Sequence, residues 1–326
     1  VQVGNGISSE RILVCGTPQG SSCSCTIFAF FISDLPYWVQ KGLLGAFADD
    51  SFVSVDADTE EELRENLQRE GENILQFFAS NKMVANASKT AMIIFRQRGK
   101  IDGPFCITLA GEVIEEKTEE KLLGVWIRND LKWSSHIEKL TTELNYVLSV
   151  LRRLRSHLNF KNLKSIAEGL HMSRIRYALP VFAAEYLRIC PSDSTSENLQ
   201  RLQKSQNDML RTLTGQKQSD HARVSDMLMR TGMLSVNQLI AYGMLMDVWK
   251  AREFRIPVLG TLLDRQRNDE RTLRSDTSNK VSSTRHEAYS MNVEKLWNMS
   301  NEKFKNTNLL KVAKSEARKL ASSLPI

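Results

Sequence analysis

An α+β fold is predicted for this 326-residue chain, with short antiparallel hairpins and two helices up to Trp133 and helices alone beyond it. Three patterns carry the prediction. The run Leu43-Leu44-Gly45-Ala46-Phe47-Ala48-Asp49-Asp50-Ser51-Phe52-Val53-Ser54-Val55 is two apolar stretches separated by two acids, a β-hairpin with both aspartates at its tip. Cys106-Ile107-Thr108-Leu109, a turn at Ala110-Gly111 and Val113-Ile114 repeat the hairpin pattern. From Leu140 the period changes: Leu140, Leu144, Val147, Leu148, Leu151, Leu154 and Leu158 form a helical stripe.

Each element has a local cause. Ile12-Leu13-Val14 reads as a strand entering Gly16-Thr17-Pro18-Gln19-Gly20-Ser21, where Pro18 and the two glycines forbid helix. Residues 22–35 are apolar nearly all round, the signature of a buried helix, and Cys23 and Cys25 read as buried small residues. The acidic hairpin is expected to pack on this helix and on a second one over 59–80. Thr59-Glu60-Glu61-Glu62 is a capping-box sequence, and Leu63, Leu67, Ile74, Leu75, Phe77 and Phe78 give that second helix its apolar face. A turn at Asn86-Ala87-Ser88-Lys89-Thr90 leads to a strand over 91–95, and Arg98-Gly99-Lys100 breaks the chain before the second hairpin. Further helices are expected over 162–172, 197–213 with Gly215 as its stop, 233–249 and 302–324. Residues 191–196 read as a loop, and the polar stretch 265–285 is poor enough in large apolar residues to be expected mobile.

Composition is that of a globular protein, 41% hydrophobic and 25% charged, long enough for two or three domains. Net charge is +6, which suits a polyanionic partner. The charge is uneven: Asp49 to Glu72 holds ten acids and two bases, Val150 to Cys190 eight Lys/Arg and two Glu. Five cysteines with no C-x-x-C pair argue against a disulfide framework or a zinc knuckle. No apolar run reaches membrane-spanning length and the histidines are scattered, so neither a membrane span nor a histidine metal site is expected.

Adjacent aspartates in a tight apolar turn repel each other, a cost that a hard divalent cation removes. On its own the pair reads as readily as a solvated turn. It is not on its own. The Gly16-Thr17-Pro18-Gln19-Gly20-Ser21 loop, the apolar stretch ending in Asp34-Leu35-Pro36, the Phe47-Ala48-Asp49-Asp50 tip and Asn86-Ala87-Ser88-Lys89-Thr90 follow one another in order. Leu122-Leu123-Gly124-Val125-Trp126-Ile127 and Leu131-Lys132-Trp133-Ser134-Ser135-His136-Ile137 come next. This order resembles the palm of a reverse transcriptase of the non-LTR retrotransposon class, and the Trp-x-x-His-Ile segment is most similar to its jockey-type members. The motifs cover roughly residues 16–140.

The resemblance implies a right-hand polymerase: the C-terminal half of a palm over 1–98, with an antiparallel sheet and helices, and a primer-grip hairpin region over 99–134. An all-α thumb over 135–215 and a helical C-terminal region over 216–326 follow. It implies an RNA-directed DNA polymerase that moves nucleotides to a primer 3′-OH with two divalent metals, Mg²⁺ or Mn²⁺. Asp49 and Asp50 are then metal ligands, and Lys89 neutralises or protonates the leaving pyrophosphate. Gly16, Pro18, Gln19, Gly20, Ser21 and Phe47 meet nucleotide, template or primer end; Leu123, Gly124 and Val125 form the primer grip. Arg152, Arg153, Arg155, Arg174 and Arg176 are candidates for the nucleic-acid backbone, each weighed against a plain solvated helix face. Trp126, Trp133 and Phe160 fit the core better than base stacking, and His136 reads as structural. Implied partners are an RNA template, a DNA primer or target and dNTPs, with no membrane; the family implies an intracellular protein of nucleus and cytoplasm.

One expected part is missing. Polymerases of this class take a further aspartate from a strand upstream of the Gly-Pro-Gln-Gly loop, and the fifteen residues before Gly16 contain no Asp. The chain therefore reads as a C-terminal portion, expected to be inactive alone. A non-catalytic nucleic-acid-binding module is the alternative; a maturase-like or RNA-templated RNA polymerase fits the Trp-x-x-His-Ile segment less well.

Overall fold

The computed structural model describes residues 2–4, 6–7, 9, 16–17, 20–83, 89–96, 105–256 and 285–326. Outside them fall the strand expected at Ile12-Leu13-Val14, Pro18, Gln19, Asn86-Ala87-Ser88, the break at Arg98-Gly99-Lys100 and nearly all of the stretch expected to be mobile. The chain divides into two compact units, Val1–Gly124 with Arg128–Asp130, and Val125–Ile127 with Leu131–Ile326. No helix among the described residues is long and apolar enough to cross a membrane.

In the first unit, β1 (Gln2–Val3) pairs with β2 (Gly6–Ile7), followed by α1 (Ser24–Ile32) and a 3₁₀ turn, Leu35–Trp38. The acidic hairpin is β3 (Leu43–Phe47) with β4 (Asp50–Ser54), and α2 spans Glu60–Ser80. The second hairpin is β5 (Cys106–Leu109) with β6 (Glu112–Glu115). Last come β7 (Glu119–Leu122) and β8 (Val125–Arg128), and the two units divide within β8. Turns Ala110-Gly111 and Leu123-Gly124 have positive φ at both residues (52° and 83°, 46° and 86°), as type I′ hairpin loops require.

Helix α2 organises this unit. Its Leu63, Leu67 and Leu75 pack on a core of Met92, Ile94, Phe105, Ile107, Leu109 and Ile114. Gly71 makes the contact close: a Cβ there would stand 2.6 Å from Leu109 Cδ2. The exposed edge of β5 is capped by side chains of α2. Thr108 N–H donates to Gln68 Oε1 at 3.0 Å, Gln68 Nε2 donates back to the Thr108 carbonyl, and Arg64 Nη1 donates to the Cys106 carbonyl at 2.5 Å. A strand edge is thus satisfied without a further strand. Glu70 is fully buried, and its carboxylate accepts the backbone N–H groups of Gln40 and Lys41 at 2.6–3.1 Å. It ties the segment entering β3 to α2. Trp38 packs edge-on against Phe77, ring centroids 6.0 Å apart.

Four expectations are corrected here. Helix α1 buries no residue: Phe30 is 83% exposed and Ile27 and Phe31 are exposed too, because no element among the described residues covers its apolar circumference. Cys23 and Cys25 are exposed free thiols at its first turn, not buried. The strand over 91–95 reduces to one bridge, Met92 with Glu116; Lys117 N–H donates to the Met92 carbonyl at 2.7 Å, and Arg96 grips both oxygens of Glu116. The capping box works one way only, Thr59 Oγ1 accepting from Glu62 N–H at 3.2 Å. The hairpin's link to α2 runs through Glu70.

The second unit is helical: α3 (Ser134–Leu154), α4 (Phe160–Ala167), a π turn (Glu168–Met172), α5 (Ser173–Arg176), α6 (Leu179–Ala183) and α7 (Glu197–Thr214). Then follow α8 (Val224–Thr231), α9 (Val236–Glu253), α10 (Arg285–Met299), α11 (Glu302–Lys305) and α12 (Leu310–Ser322). The α3 stripe is buried from Ile137 to Leu151, and Gly215 stops α7 at φ 82° as expected. The helix expected over 302–324 is broken, since carbonyls at the end of α11 and in the gap after it serve α9: Arg252 Nη1 donates to Lys305 O at 2.5 Å and Trp249 Nε1 to Thr307 O at 2.9 Å. Helix α9 is buried almost all round, and its first turn is an amide clamp. Asn237 Nδ2 donates to the carbonyls of Arg188 and Pro325, Gln238 Nε2 to those of Ser322 and Leu324, and Gln206 Nε2 of α7 to that of Leu234.

Glu70→Ala leaves two partly buried N–H groups without their charged acceptor and should destabilise the first unit by about 1.5–3 kcal/mol in urea unfolding, with Glu70→Gln in between. His171, buried in the π turn, bonds Ser205 Oγ through Nε2 at 3.2 Å while its Nδ1 has no partner among the described residues. Burial, aided by the Arg174 charge, lowers its pKa from 6.5 to about 4. The unfolded chain therefore takes up this proton first. Stability is complete above pH 6.5 and falls toward pH 4 by about 1.4 kcal/mol per pH unit, a dependence that His171→Gln should flatten.

Candidate active site

The hairpin register sets where each acid lies. Leu43 faces Ser54, Leu44 faces Val53, Gly45 faces Phe52, Ala46 faces Ser51 and Phe47 faces Asp50. Ala48 and Asp49 are the two turn residues, so Asp49 sits at the apex and Asp50 opens β4 rather than sharing the turn. Alternation puts Leu44, Ser51 and Val53 on the half-buried side and Phe47, Asp50 and Phe52 on the exposed side. Gly45 lets the Phe52 ring lie flat across the strand: a Cβ there would meet the ring at 2.2 Å. Ala48 takes φ 53°, a left-handed conformation that Gly would adopt more cheaply.

Asp49, Asp50 and Phe47 are all exposed, Phe47 by 69%. No hydrogen bond or ion pair engages either aspartate among the described residues. Two adjacent carboxylates offering free oxygens suit a hard cation such as Mg²⁺. No group of three or more His, Cys, Asp or Glu arranged to hold a metal occurs among the described residues, so Asp49 and Asp50 are the donors this site offers.

The remaining candidates are placed as follows. Gly16 and Gly20 have φ 81° and 87° with open space where a Cβ would project, leaving backbone accessible. Ser21 opens α1, its carbonyl accepting from Ser24 N–H and its Oγ from Cys23 N–H. Lys89 is exposed, and no bond joins it to Asp49 or Asp50 among the described residues. Leu123 and Gly124 are exposed in the β7–β8 turn while Val125 is buried. Pro18 and Gln19 lie outside the described residues.

In the second unit the five arginines are all exposed but not equivalent. Arg152 and Arg153 lie on the last turn of α3 with no ion pair among the described residues. Arg155 lies over Gly215 at the C-terminal end of α7, where a Cβ would come within 2.4 Å of its Nη2, so the guanidinium also serves that helix end. Arg174 donates to the Leu170 carbonyl and reaches Glu143 of α3 at 3.9 Å, and Arg176 is free of ion pairs among the described residues. Two exposed aromatics stand on the same helices and were not singled out from sequence: Tyr146, 71% exposed on α3, and Tyr177 just after α5. The signal was available, since Tyr146 falls off the buried stripe. His136 is structural: it is buried, its Nδ1 accepts from Trp126 N–H at 3.4 Å, and its ring packs edge-on to Phe182. Trp126 carries the Lys139 ammonium 3.4 Å from its ring centre, and Trp133 packs on the core. Phe160 is exposed, contrary to its assignment to the core.

Ala48→Gly should relax the turn by about 1 kcal/mol. Amide exchange over residues 43–54 should slow, and faster exchange would contradict the strained turn.

Residues 2–127 match the reverse transcriptase (RNA-dependent DNA polymerase) family. The chain is 24% identical over 223 residues to a probable RNA-directed DNA polymerase from transposon X-element of Drosophila melanogaster, covering 66% of this chain and 23% of that protein. It is 24% identical over 222 residues to the RNA-directed DNA polymerase from mobile element jockey of Drosophila funebris, covering 64% and 23%. To a probable RNA-directed DNA polymerase from transposon BS of Drosophila melanogaster it is 27% identical over 169 residues, covering 50% and 18%. The chain thus spans about a quarter or less of the length of these relatives. No solved structure matches it. The acidic hairpin therefore lies in the segment that matches the reverse transcriptase family, and the chain is similar to RNA-directed DNA polymerases of jockey-like mobile elements.

Proposed function

We propose that this chain supplies the acidic centre, primer grip and product-binding face of a polymerase that copies an RNA template into DNA. The observation that carries the reading is the exposed Asp49-Asp50 pair on a two-residue turn, inside the segment that matches the reverse transcriptase family. In the reaction a primer 3′-oxygen attacks the α-phosphate of a dNTP and pyrophosphate leaves. Asp49 and Asp50 would hold Mg²⁺ or Mn²⁺, which when bound would supply Lewis-acid stabilisation of the charge developing on phosphoryl oxygens, and Lys89 presents its ammonium to the leaving pyrophosphate. Phe47, across the strand from Asp50, offers an apolar surface to the primer end. Gln19 donates and accepts through one amide toward the nucleotide, and Gly16, Pro18, Gly20 and Ser21 keep that loop's backbone close to it. The Leu123-Gly124-Val125 turn holds the primer strand.

Arg152, Arg153, Arg174 and Arg176 contact the phosphates of the product duplex, with Tyr146 and Tyr177 as exposed rings beside them. Arg155, which lies beside Gly215 at the end of α7, is a further candidate for the same face.

The test is primer extension by a fusion of this chain behind the upstream segment of a jockey-type polymerase. Asp49→Asn should lower the rate by about 10³-fold or more and Lys89→Ala by about 10²-fold, with duplex binding retained. Unchanged extension in Asp49→Asn would overturn the assignment. Duplex binding without extension in any fusion would favour a non-catalytic nucleic-acid-binding module.

A further inference from the structure

The proposed reaction leaves the Trp133-x-x-His136-Ile137 segment unused, and its histidine stands out from its surroundings. Helix α3 buries seven residues, and His136 is the one that is not apolar. An imidazole is costly to bury unless its nitrogens are satisfied. Here Nδ1 accepts from the Trp126 backbone N–H at 3.4 Å, and the ring packs edge-on to the fully buried Phe182 of α6, centroids 4.6 Å apart. An accepting Nδ1 places the ring proton on Nε2, so the bond requires the neutral imidazole.

Lys139 stands three residues on, on the same side of α3, and its Nζ lies 3.4 Å from the centre of the Trp126 ring. Backbone and side chain of one residue are thus each taken by a side chain from the first turns of α3. Trp126 lies in β8, two residues after Gly124, and its neighbour Val125 closes the proposed primer grip. Val125 is 7% exposed, and Val125–Ile127 belong to the second unit together with α3. At its other end, about 24 Å along the axis from His136, α3 carries Arg152 and Arg153.

We infer that His136 and Lys139 are positioning residues for primer extension: they clamp Trp126 and so fix the strand that leaves the primer grip to the helix that bears product-binding arginines. The inference rests on the reverse transcriptase reading and deepens it by naming what holds Val125 in place. Neither side chain touches primer, template or nucleotide in this role. A helix that holds the grip strand at one end and product phosphates at the other keeps the primer 3′-oxygen in register with the duplex behind it, and the rate depends on the alignment of that oxygen. Plain core packing asks only for an apolar body against Phe182. It does not ask for an acceptor at Nδ1 or a cation over Trp126.

The experiment measures kinetics on the primer-extending fusion and amide exchange on the full chain. His136→Phe keeps a ring against Phe182 and removes the acceptor; His136→Asn places Oδ1 near where Nδ1 stands and gives up the ring. His136→Phe should lower kcat about tenfold or more, with KM for dNTP and Kd for an RNA–DNA hybrid within about twofold of the parent, and exchange of the Trp126 N–H should quicken. His136→Asn should extend primer within about threefold of the parent and keep that amide protected. Lys139→Met should lower kcat a fewfold and Lys139→Arg restore it, since a guanidinium also sits over an indole. Parent-like kcat in His136→Phe overturns the inference and leaves the parent reading intact, because Asp49→Asn still reports on the acidic pair. A loss in His136→Asn that His136→Phe does not share also overturns it, since packing of the ring would then be the whole role. Lys139 is half-buried, so its pair decides the matter if His136→Phe does not fold: parent-like kcat in Lys139→Met then overturns the inference. If the parent fusion extends no primer, the reverse transcriptase reading fails and the inference with it.

Discussion

The acidic hairpin hangs from one buried carboxylate. A two-stranded hairpin is marginal by itself in water, and this one has its exposed face lined by Leu43, Phe47 and Phe52. Its position is set before the first strand begins, where Glu70 of α2 gathers the N–H groups of Gln40 and Lys41. Burying an ionised carboxylate is costly unless backbone donors surround it. Here three such contacts offset the cost and turn a helix into a mount for the site. The rest of α2 is recruited to the same end. Gly71, Gln68 and Arg64 fasten β5, so that one helix holds the second hairpin directly and the acidic hairpin through its leading segment.

The second unit solves the corresponding problem with neutral amides. Its core is large and continuous, and the specific contacts are made by Gln203, Gln206, Asn237 and Gln238 at the entry to α9. An amide carries donor and acceptor together, so Asn237 can accept from Arg188 N–H at 2.8 Å while donating to two carbonyls. Asn237 thereby joins residues 188 and 325, and Gln206 joins α7 to Leu234, through neutral groups. The cationic surface is left for the exposed faces of α3, α5 and α12.

How much of this was legible in the sequence follows from the range of the interactions. The acidic hairpin, the second hairpin and the α3 stripe depend on local periodicity, and all three stand where the pattern put them. The break between α11 and α12 was not legible, because its cause is Trp249 and Arg252 reaching carbonyls more than fifty residues away. Short helices such as α6 and α8 carry too few turns for a period to register. The exposure of α1 was misread for a different reason. An all-round apolar helix announces that something should cover it, but says nothing about which residues do so. Of the site, residue identities and order came from the sequence. What it could not supply was the difference between Asp49 at the apex and Asp50 in the strand, or that Arg155 lies beside Gly215 at the end of α7.

The treatment of carboxylates separates the proposed catalytic pair from the acids that hold the fold together. Where an acid holds the fold together, the protein gives it partners: Glu70 has backbone N–H groups, Glu116 has Arg96, and Asp193 takes the N–H groups of Ile189 and Cys190. Lys319 and Asn301 hold the Glu316 carboxyl down at about 2. Asp49 and Asp50 receive nothing of the kind among the described residues, although adjacency makes their mutual repulsion larger than that of isolated surface acids such as Asp56 and Asp58. Their turn is strained at Ala48 as well. Folding alone gives no reason to retain that arrangement. A divalent cation held by both carboxylates would supply one, because its charge would offset their repulsion.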